Sequence, residues 1–415
     1  MKKLFASTAI ALSLFGATAL HAAAEETIKI GYVDPLSGGA ASIGQIGMNQ
    51  LKFITDNVNE NGGVMGMQVE LVGYDNKLDP QASLVQIQKA IDQGVRIIIQ
   101  GNGSSVASAI TDFVSKHNER NPGKEVVYLN YAAIDPSLTN DKCNYWHFAF
   151  DANVDIKLEA LANFIKDKDD VKKVYLISQD YSFGHSVAET AEAKLKEKRP
   201  DIEIVGNEFH PLVKVTDFSP YVAKIKASGA DTVITGNWGQ DLALLIKAAG
   251  DAGLDVDWYT FYAGGAGGPT AVAQAGLDNK VFQITEGINN LDHAPMKETA
   301  SAFMTRFSDA PVYYPRMFNL TGMLFEAIEE AGSANPVDIA PKLEGKKYDT
   351  FASGDEGFMR ADDHQFFQPL FISALTPVGD DQVQEENTGW GWQLSATIPV
   401  EDTIVPTTCK MERPE

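Results

Sequence analysis

Cysteine is scarce: the 415 residues hold two, with no Cys-x-x-Cys pair, which excludes both a zinc ribbon and a disulfide-dense small domain. The histidines are scattered, with none at metal-ligand spacing. No His-Glu-x-x-His helix, Gly-x-Ser-x-Gly elbow or Gly-x-x-x-x-Gly-Lys-Ser/Thr phosphate loop occurs, so no metal, cofactor or catalytic set is expected. Basic residues are few as well. The 34 Lys and Arg face 56 Asp and Glu, giving a net charge of −22. A surface this acidic repels phosphate backbones and anionic headgroups, so neither nucleic acid nor a charged membrane surface is expected as a partner. Beyond the N-terminus no apolar run approaches the length of a membrane span, so no stable membrane insertion is expected.

The N-terminus itself carries a strong signal. Met1-Lys2-Lys3 precedes an uncharged run from Leu4 to Leu20, and Ala22-Ala23-Ala24 offers a small-residue cleavage site. The run, about 17 residues, is short of the roughly 20 that a membrane anchor needs. No cysteine stands at the cleavage site to take a lipid. Residues 1–24 are therefore expected to be a cleaved signal peptide, so that the mature chain is exported. Loss of Lys2 and Lys3 takes its charge to −24. In an oxidising compartment Cys143 and Cys409 read as one structural disulfide, the alternative being two separate buried thiols.

Short apolar, β-branched runs alternate with helical stretches for nearly 300 residues. Thr27–Val33, Val69–Tyr74, Arg96–Gln100 and Glu125–Tyr131 form one set of expected strands. Lys172–Ser178, Glu203–Phe209, Asp231–Thr235 and Asp257–Tyr262 form a second. Between them Val154, Leu158, Leu161 and Ile165 share one helical face. Such alternation predicts an α/β architecture of two lobes, each a doubly wound parallel sheet with helices on both faces. Later elements return to complete both lobes: residues 25–148 with about 283–357 in lobe 1, and 149–282 with about 358–398 in lobe 2. The stretch from Pro377 is rich in Asp, Gln, Pro and Thr and is expected to run over the surface, with 399–415 as a tail. Asp362-Asp363-His364-Gln365 reads as a polar turn between two short strands rather than a catalytic group.

Open parallel sheets bind ligands beyond the carboxyl ends of their strands, where loops feed helix N-termini. Gly101-Asn-Gly-Ser104-Ser105 is such a loop. Its free N–H groups and hydroxyls suit a carboxylate, and an ordinary serine N-cap is the equal alternative. Val106 stands where a dinucleotide fingerprint needs its third glycine. In the second lobe Tyr181, Phe183, Trp238 and Tyr262 lie at three strand ends, where aromatic rings either pack locally or face a ligand.

Several stretches resemble the periplasmic leucine/isoleucine/valine-binding protein family, in the same order over about 350 residues. They are Ile28-Lys-Ile-Gly-Tyr-Val-Asp-Pro-Leu-Ser-Gly-Gly, Asn61-Gly-Gly-Val-Met-Gly, Tyr74-Asp-Asn-Lys-Leu-Asp-Pro, Gly103-Ser-Ser and Tyr181-Ser-Phe-Gly. The resemblance implies the type I periplasmic-binding-protein fold, with three crossover strands joining the lobes and a ligand closed between them. It implies a ligand set of Ser104, Ser105, Tyr131, Ala132 and Ala133 from one lobe and Tyr181, Phe183, Trp238 and Tyr262 from the other. The family's carboxylate-binding serine falls on Ser104 and its ammonium-accepting carbonyl on Ala132. A threonine that helps hold the ammonium becomes Ile134, two family tyrosines become Phe183 and Trp238, and no carboxylate stands near Tyr262, where the family has one. Asp135 or Asp180 are the candidates to replace it. Positions that carry a disulfide in close relatives fall on Leu78 and Gly103, so both sulfurs are missing together.

The expected function follows from that resemblance. It is a solute-binding component of an ABC importer, not an enzyme, acting as a monomer. It would take a branched-chain amino acid or related small carboxylate or amide, without cofactor, and deliver it to a permease and ATPase complex. A ligand-sensing module that presents its closed form to a receptor or kinase is the alternative.

Overall fold

The computed structural model describes residues 27–307 and 310–414, so the expected signal peptide, residues 1–24, lies outside the described residues. The first lobe is built on β1 (Ile28–Asp34), β2 (Val69–Asp75), β3 (Ile97–Gln100), β4 (Val127–Asn130) and β5 (His147–Ala149). All pair in parallel, in the order β2-β1-β3-β4-β5. The helices α1 (Ala41–Glu60), α2 (Pro80–Asp92) and α3 (Ser104–Arg120) connect the first four. The Ile97-Ile-Ile-Gln strand is buried along its whole length, as a central strand covered on both faces must be. Helix α2 starts where Asp79 accepts the Ala82 N–H at 2.7 Å and Pro80 presets the first turn.

The second lobe runs through α4 (Val154–Ile165), β6 (Lys173–Gln179), α5 (Ser182–Lys198), β7 (Glu203–His210), α6 (Ser219–Ser228), β8 (Thr232–Thr235), α7 (Gly239–Asp251), β9 (Asp257–Thr260), α8 (Gly268–Ala275) and β10 (Val281–Thr285). After it come α9 (Ala294–Arg306), α10 (Pro315–Ala331), α11 (Pro336–Leu343), β11 (Lys347–Asp349), β12 (Glu356–Met359), β13 (Phe366–Phe367), β14 (Leu370–Pro377) and β15 (Trp390–Ile398). The large sheet has the order β15-β14-β10-β9-β8-β6-β7, parallel from β7 to β10 and antiparallel at β14 and β15.

Three details differ from the sequence reading. Strand β10, on which the expected return at about 283 falls, pairs throughout with the second sheet. Strands β11, β12 and β13 form a separate antiparallel sheet that carries the chain past 358 before it enters β14. The stretch after Pro377 is not wholly a surface run: β15 lines the edge of the large sheet and buries Trp392. Its Ser395 and Thr397 are exposed, as an edge strand with one wet face allows. In the Asp362–Gln365 turn Asp362 is exposed while Asp363, His364 and Gln365 are buried, and His364 stacks on Phe148 with ring centroids 4.0 Å apart.

The chain crosses between the lobes after β5, after β10 and between β13 and β14, and a buried ionic cluster gathers two of these crossings. Asp151, on the first, meets Lys157 Nζ at 2.8 Å and Arg316 Nε at 3.4 Å. Glu286, on the second, takes Arg316 Nη1 and accepts the Arg316 N–H at 3.1 Å. On the third crossing Gln365 Nε2 donates to Asp151 O at 2.8 Å and Gln368 Nε2 to Phe150 O at 2.9 Å. Two cations and two carboxylates thus balance inside the hinge.

A fourth link is covalent. Beyond β15 a short 3-10 turn at Val400–Thr403 packs on α4. The tail then runs to the first lobe, where Thr407 Oγ1 donates to Thr139 O at 3.0 Å and Cys409 is bonded to Cys143, with Cα atoms 5.7 Å apart.

Two outcomes follow for stability. Asp151→Asn leaves Lys157 and Arg316 with a single counter-charge and should cost about 3–5 kcal/mol in urea unfolding; a loss under 1 kcal/mol would show that the cluster is not held as an ionic unit. Reduction of Cys143–Cys409 releases a loop of 266 residues. Calorimetry should register a loss of roughly 2–5 kcal/mol, and an unchanged melting curve would show that the bridge does not constrain the unfolded chain.

Candidate functional site

The cleft between the lobes meets the carboxyl ends of both parallel sheets. From the first lobe, β3 ends at Gln100 and the loop Gly101-Asn102-Gly103 leads into α3. Gly103 has φ +89°, a left-handed conformation that a side chain would strain, and it makes the N-cap. Ser104 is therefore the first helical residue rather than the cap. Its Oγ accepts the Asp135 N–H at 3.3 Å and keeps its own proton for another acceptor. The first-turn N–H groups of α3 lack helical partners, and the helix dipole adds positive potential at the same place.

Asp34 fixes the shape of this loop. Its carboxylate, at the end of β1, accepts Asn102 N at 3.0 Å, Gly101 N at 3.2 Å and Tyr131 Oη at 2.8 Å. Tyr131 Oη in turn accepts Asn102 Nδ2 at 2.7 Å and lies 3.0 Å from Tyr32 Oη. Leu78 lies against the bend: a methyl group on Gly103 would come 2.9 Å from Leu78 Cδ1. The two positions at which the resemblance implies a missing disulfide are thus spatial neighbours.

The opposite wall is aromatic. Helix α5 begins at the tip of β6, and a Cβ at Gly184 would lie 1.9 Å from Gln179 O, so the Tyr181-Ser-Phe-Gly turn closes only with glycine there. That turn presents Tyr181 and Phe183. Trp238, at the start of α7, donates Nε1–H to Tyr181 Oη at 2.8 Å. Tyr262, just beyond β9, reaches across the cleft. Its hydroxyl lies 3.0 Å from Ala132 O and 2.7 Å from Asp151 Oδ2, with Lys157 Nζ 4.8 Å from its ring centre. Burial and the neighbouring Asp151 push its ionisation well above the usual tyrosine range, so it stays a donor.

These walls approach each other closely, leaving a cavity of about 20 Å³ between them, room for little more than one water molecule. The lobes also touch at the rim, where a methyl group on Gly39 would come 2.5 Å from Val213. Of the residues expected from the sequence, Ser104, Ala132, Tyr181, Phe183, Trp238 and Tyr262 line this chamber. Three do not. Ser105 points outward on α3 and is exposed; the Tyr131 hydroxyl is turned into the Asp34 network; Ala133 is buried and its backbone is tied to Asn130. Neither Asp135 nor Asp180 replaces the missing carboxylate: Asp135 caps a 3-10 turn through Ser137 N at 2.9 Å, and Asp180 pairs with His185 on the surface.

Sequence reasoning missed Ile43 on α1, and Tyr313 and Tyr314 just before α10. The Tyr-Tyr-Pro sequence at 313–315 was the available sign for the last two, since paired rings before a helix-starting proline are costly to leave in water. Among the described residues no group of three or more His, Cys, Asp or Glu could hold a metal ion.

Burial pushes the Asp34 carboxyl up to about 7, against hydrogen bonds from Tyr131, Asn102 and Gly101 that pull it down. Between the ordinary value of 3.8 and about 7 the folded chain holds a proton that the unfolded chain releases. The stability from that proton is complete below pH 4 and is lost as pH rises through 7. The stability difference between wild type and Asp34→Asn should therefore shrink in denaturant titrations from pH 4 to pH 8. A difference independent of pH would mean that Asp34 is ionised throughout.

The comparisons agree with this geometry. A model described as periplasmic binding protein matches residues 27–380. The chain is 35% identical over 420 residues to Leu/Ile/Val-binding protein homolog 4 of Brucella abortus, covering 97% of this chain and 96% of that one. It is 24% identical to the leucine-, isoleucine-, valine-, threonine- and alanine-binding protein of Pseudomonas aeruginosa, covering 86% and 91%. A crystal structure of a leucine-, isoleucine-, valine-, threonine- and alanine-binding protein from Brucella ovis, in its closed conformation, superposes with a TM-score of 0.82. The two are 33% identical, over 94% of this chain and all of the other. Two α/β lobes on parallel sheets, a chamber between them and a match over most of the chain place it in the periplasmic binding protein family.

Proposed function

We propose that this chain is the exported solute-binding component of an ABC importer, closing its lobes over a small carboxylate and presenting the closed form to a membrane permease and ATPase complex. Export would use the signal peptide at 1–24, and the chain would work as a monomer in the periplasm. Membership of the family makes it a solute-binding protein and not an enzyme. The names of its relatives support branched-chain amino acids and similar compounds as the solute class.

The observation that carries the reading is the pairing of Ser104 and the α3 N-terminus with a wall of Tyr181, Phe183, Trp238 and Tyr262 in one closed chamber. A carboxylate gains hydrogen bonds and dipole stabilisation at one end, and an apolar body gains burial at the other. The ammonium end is altered. Ile134 has no hydroxyl, Ala132 O already has the Tyr262 hydroxyl at 3.0 Å, and no carboxylate lines the chamber. An ammonium buried there without a counter-charge is expensive. This favours carboxylates with an uncharged second end over the branched-chain amino acids themselves.

Thermal-shift screening of the mature protein tests this, with leucine, isoleucine and valine set against the matching branched-chain keto and hydroxy acids. A binding acid at 100 times its dissociation constant should add about 2.7 kcal/mol of stability. Ser104→Ala should weaken that acid by about 10-fold or more, as expected for a hydrogen bond to a charged group. Unchanged affinity in Ser104→Ala would refute the carboxylate assignment. Shifts by the amino acids alone would refute the uncharged second end.

A further inference from the structure

Asp34 is fully buried at the end of β1, and its partners are neutral. They are the Gly101 and Asn102 amides, Tyr131 Oη and, at 3.4 Å, Gln100 Nε2. Gly101 and Asn102 also line the solute chamber beside Ser104. The short loop that holds the Asp34 carboxyl is thus the one that would receive the carboxylate of the solute. Two carboxylates that share a buried site do not both ionise cheaply, and one of them keeps a proton.

A count of hydrogens points the same way. Three contacts run in a row: Asp34 Oδ2 to Tyr131 Oη at 2.8 Å, Tyr131 Oη to Tyr32 Oη at 3.0 Å, and Tyr32 Oη to Gly44 O at 2.9 Å. The two tyrosines supply only two hydrogens to these three contacts. With Asp34 ionised, one contact is left without a hydrogen. With Asp34 protonated, each has one: the carboxyl donates to Tyr131, Tyr131 to Tyr32, and Tyr32 to Gly44 O. Tyr131 Oη can still accept Asn102 Nδ2 at 2.7 Å, so the chain of bonds ends on the chamber loop.

The neighbouring elements bring no cation to Asp34. Tyr32 on its own strand, Tyr128 on β4, Tyr131 just after it and Tyr314 before α10 are all pushed above the usual tyrosine range by burial, so they stay neutral. Asp75 is the register partner of Asp34 on β2. Against partial burial, bonds from Ser37, Leu36 and Lys77 pull its carboxyl below the usual range, so it adds a negative charge. Lys77 itself is exposed, and Arg316, which packs on Tyr314, is matched by Asp151 and Glu286.

We propose that solute binding is coupled to a proton at Asp34: the cleft takes its carboxylate solute with Asp34 neutral, and a chain whose Asp34 is ionised takes up one proton from the solvent as it binds. The inference rests on the carboxylate reading above and adds regulation by pH to that same site. The solute stays a carboxylate throughout, and the proton goes to an Asp34 oxygen, supplied by the acid form of the buffer. Affinity is then complete at low pH and is lost as pH rises through the value at which the free protein releases this proton.

Calorimetric titration with 4-methyl-2-oxopentanoate, which stays ionised from pH 5 to pH 8, tests it; leucine takes its place if the amino acids alone bind. Each titration is run in paired buffers of unequal ionisation heat, such as phosphate and Tris at pH 8, so that the heat difference counts the protons taken up. Wild type should take up close to one proton per solute at pH 8 and none at pH 5. With the free group at about 7, the dissociation constant should rise about 10-fold from pH 6 to pH 8. Asp34→Asn should show neither the uptake nor the pH dependence. Should it fail to fold by its melting curve, Tyr131→Phe is the second variant, and the midpoint of its pH dependence should differ from that of wild type. Binding without proton uptake at pH 8, equal affinity at pH 6 and pH 8, uptake that persists in Asp34→Asn, or an unmoved midpoint in Tyr131→Phe would overturn the proposal. Failure of every carboxylate tried at pH 6, leucine included, would instead overturn the carboxylate reading on which it rests.

Discussion

The buried cluster of Asp151, Lys157, Glu286 and Arg316 is the constraint on which the rest of the structure depends. Asp151 and Lys157 are separated in sequence from Glu286 and Arg316 by the strands β6–β10 of the second lobe, and the four meet where the chain passes from one lobe to the other. Each charge alone would be costly to bury, and only the complete set balances. Burial pulls the Lys157 ammonium below its usual range even with Asp151 beside it, while the carboxylates around Arg316 raise its guanidinium further. A hinge stapled by such a set resists local unfolding. The lobe closure proposed for solute binding would then be a rotation about the crossings rather than a separation of the lobes.

The site is built from parts that the parallel sheet supplies for structural reasons. Helices α3, α5 and α7 all begin at the cleft because each follows a strand whose carboxyl end faces it. Their N-termini are treated differently. In the first lobe the start of α3 stays polar and small, and Asp34 holds the two preceding amides in place. In the second, the starts of α5 and α7 carry Tyr181, Phe183 and Trp238, which cover the cleft with rings. One lobe thus offers hydrogen-bond donors and the other offers apolar area, and only closure brings both to the same solute.

Much of this was legible in the sequence, and the limits have physical causes. Strands such as Ile97–Gln100 announce themselves because a strand buried on both faces needs no alternation, and Ser104 stands out because a strand, glycines and a helix start adjoin it. Helices α8 and α11 span only 8 residues each, too few turns for a periodic signal. Strand β15 was hidden by the Gln, Ser and Thr on its outer face. The ionic hinge left no local trace at all: Arg316 and Asp151 look like ordinary charged residues until the two lobes are assembled around them. Tyr131 shows the opposite error. It occupies a loop that reaches the cleft, yet its hydroxyl is taken by Asp34, and adjacency in sequence could not reveal which way the ring turns.

Tyr262 connects these parts. Its ring belongs to the wall of the ligand chamber, and its hydroxyl reaches the ionic hinge at Asp151 and the opposite lobe at Ala132. The hydroxyl has one proton for two acceptors, and the charged one at 2.7 Å is the stronger. The bond across the cleft is therefore the weaker of the two. On opening, water replaces it at Ala132, so it contributes at most the net value of an ordinary hydrogen bond, about 0.5–1.5 kcal/mol. A solute bound with micromolar affinity brings about 8 kcal/mol. This cross-cleft bond is thus too weak to decide the closed state by itself, whereas a ligand touching both walls is strong enough. The balanced hinge gives the rotation its axis, and the contents of the cleft determine how far it closes.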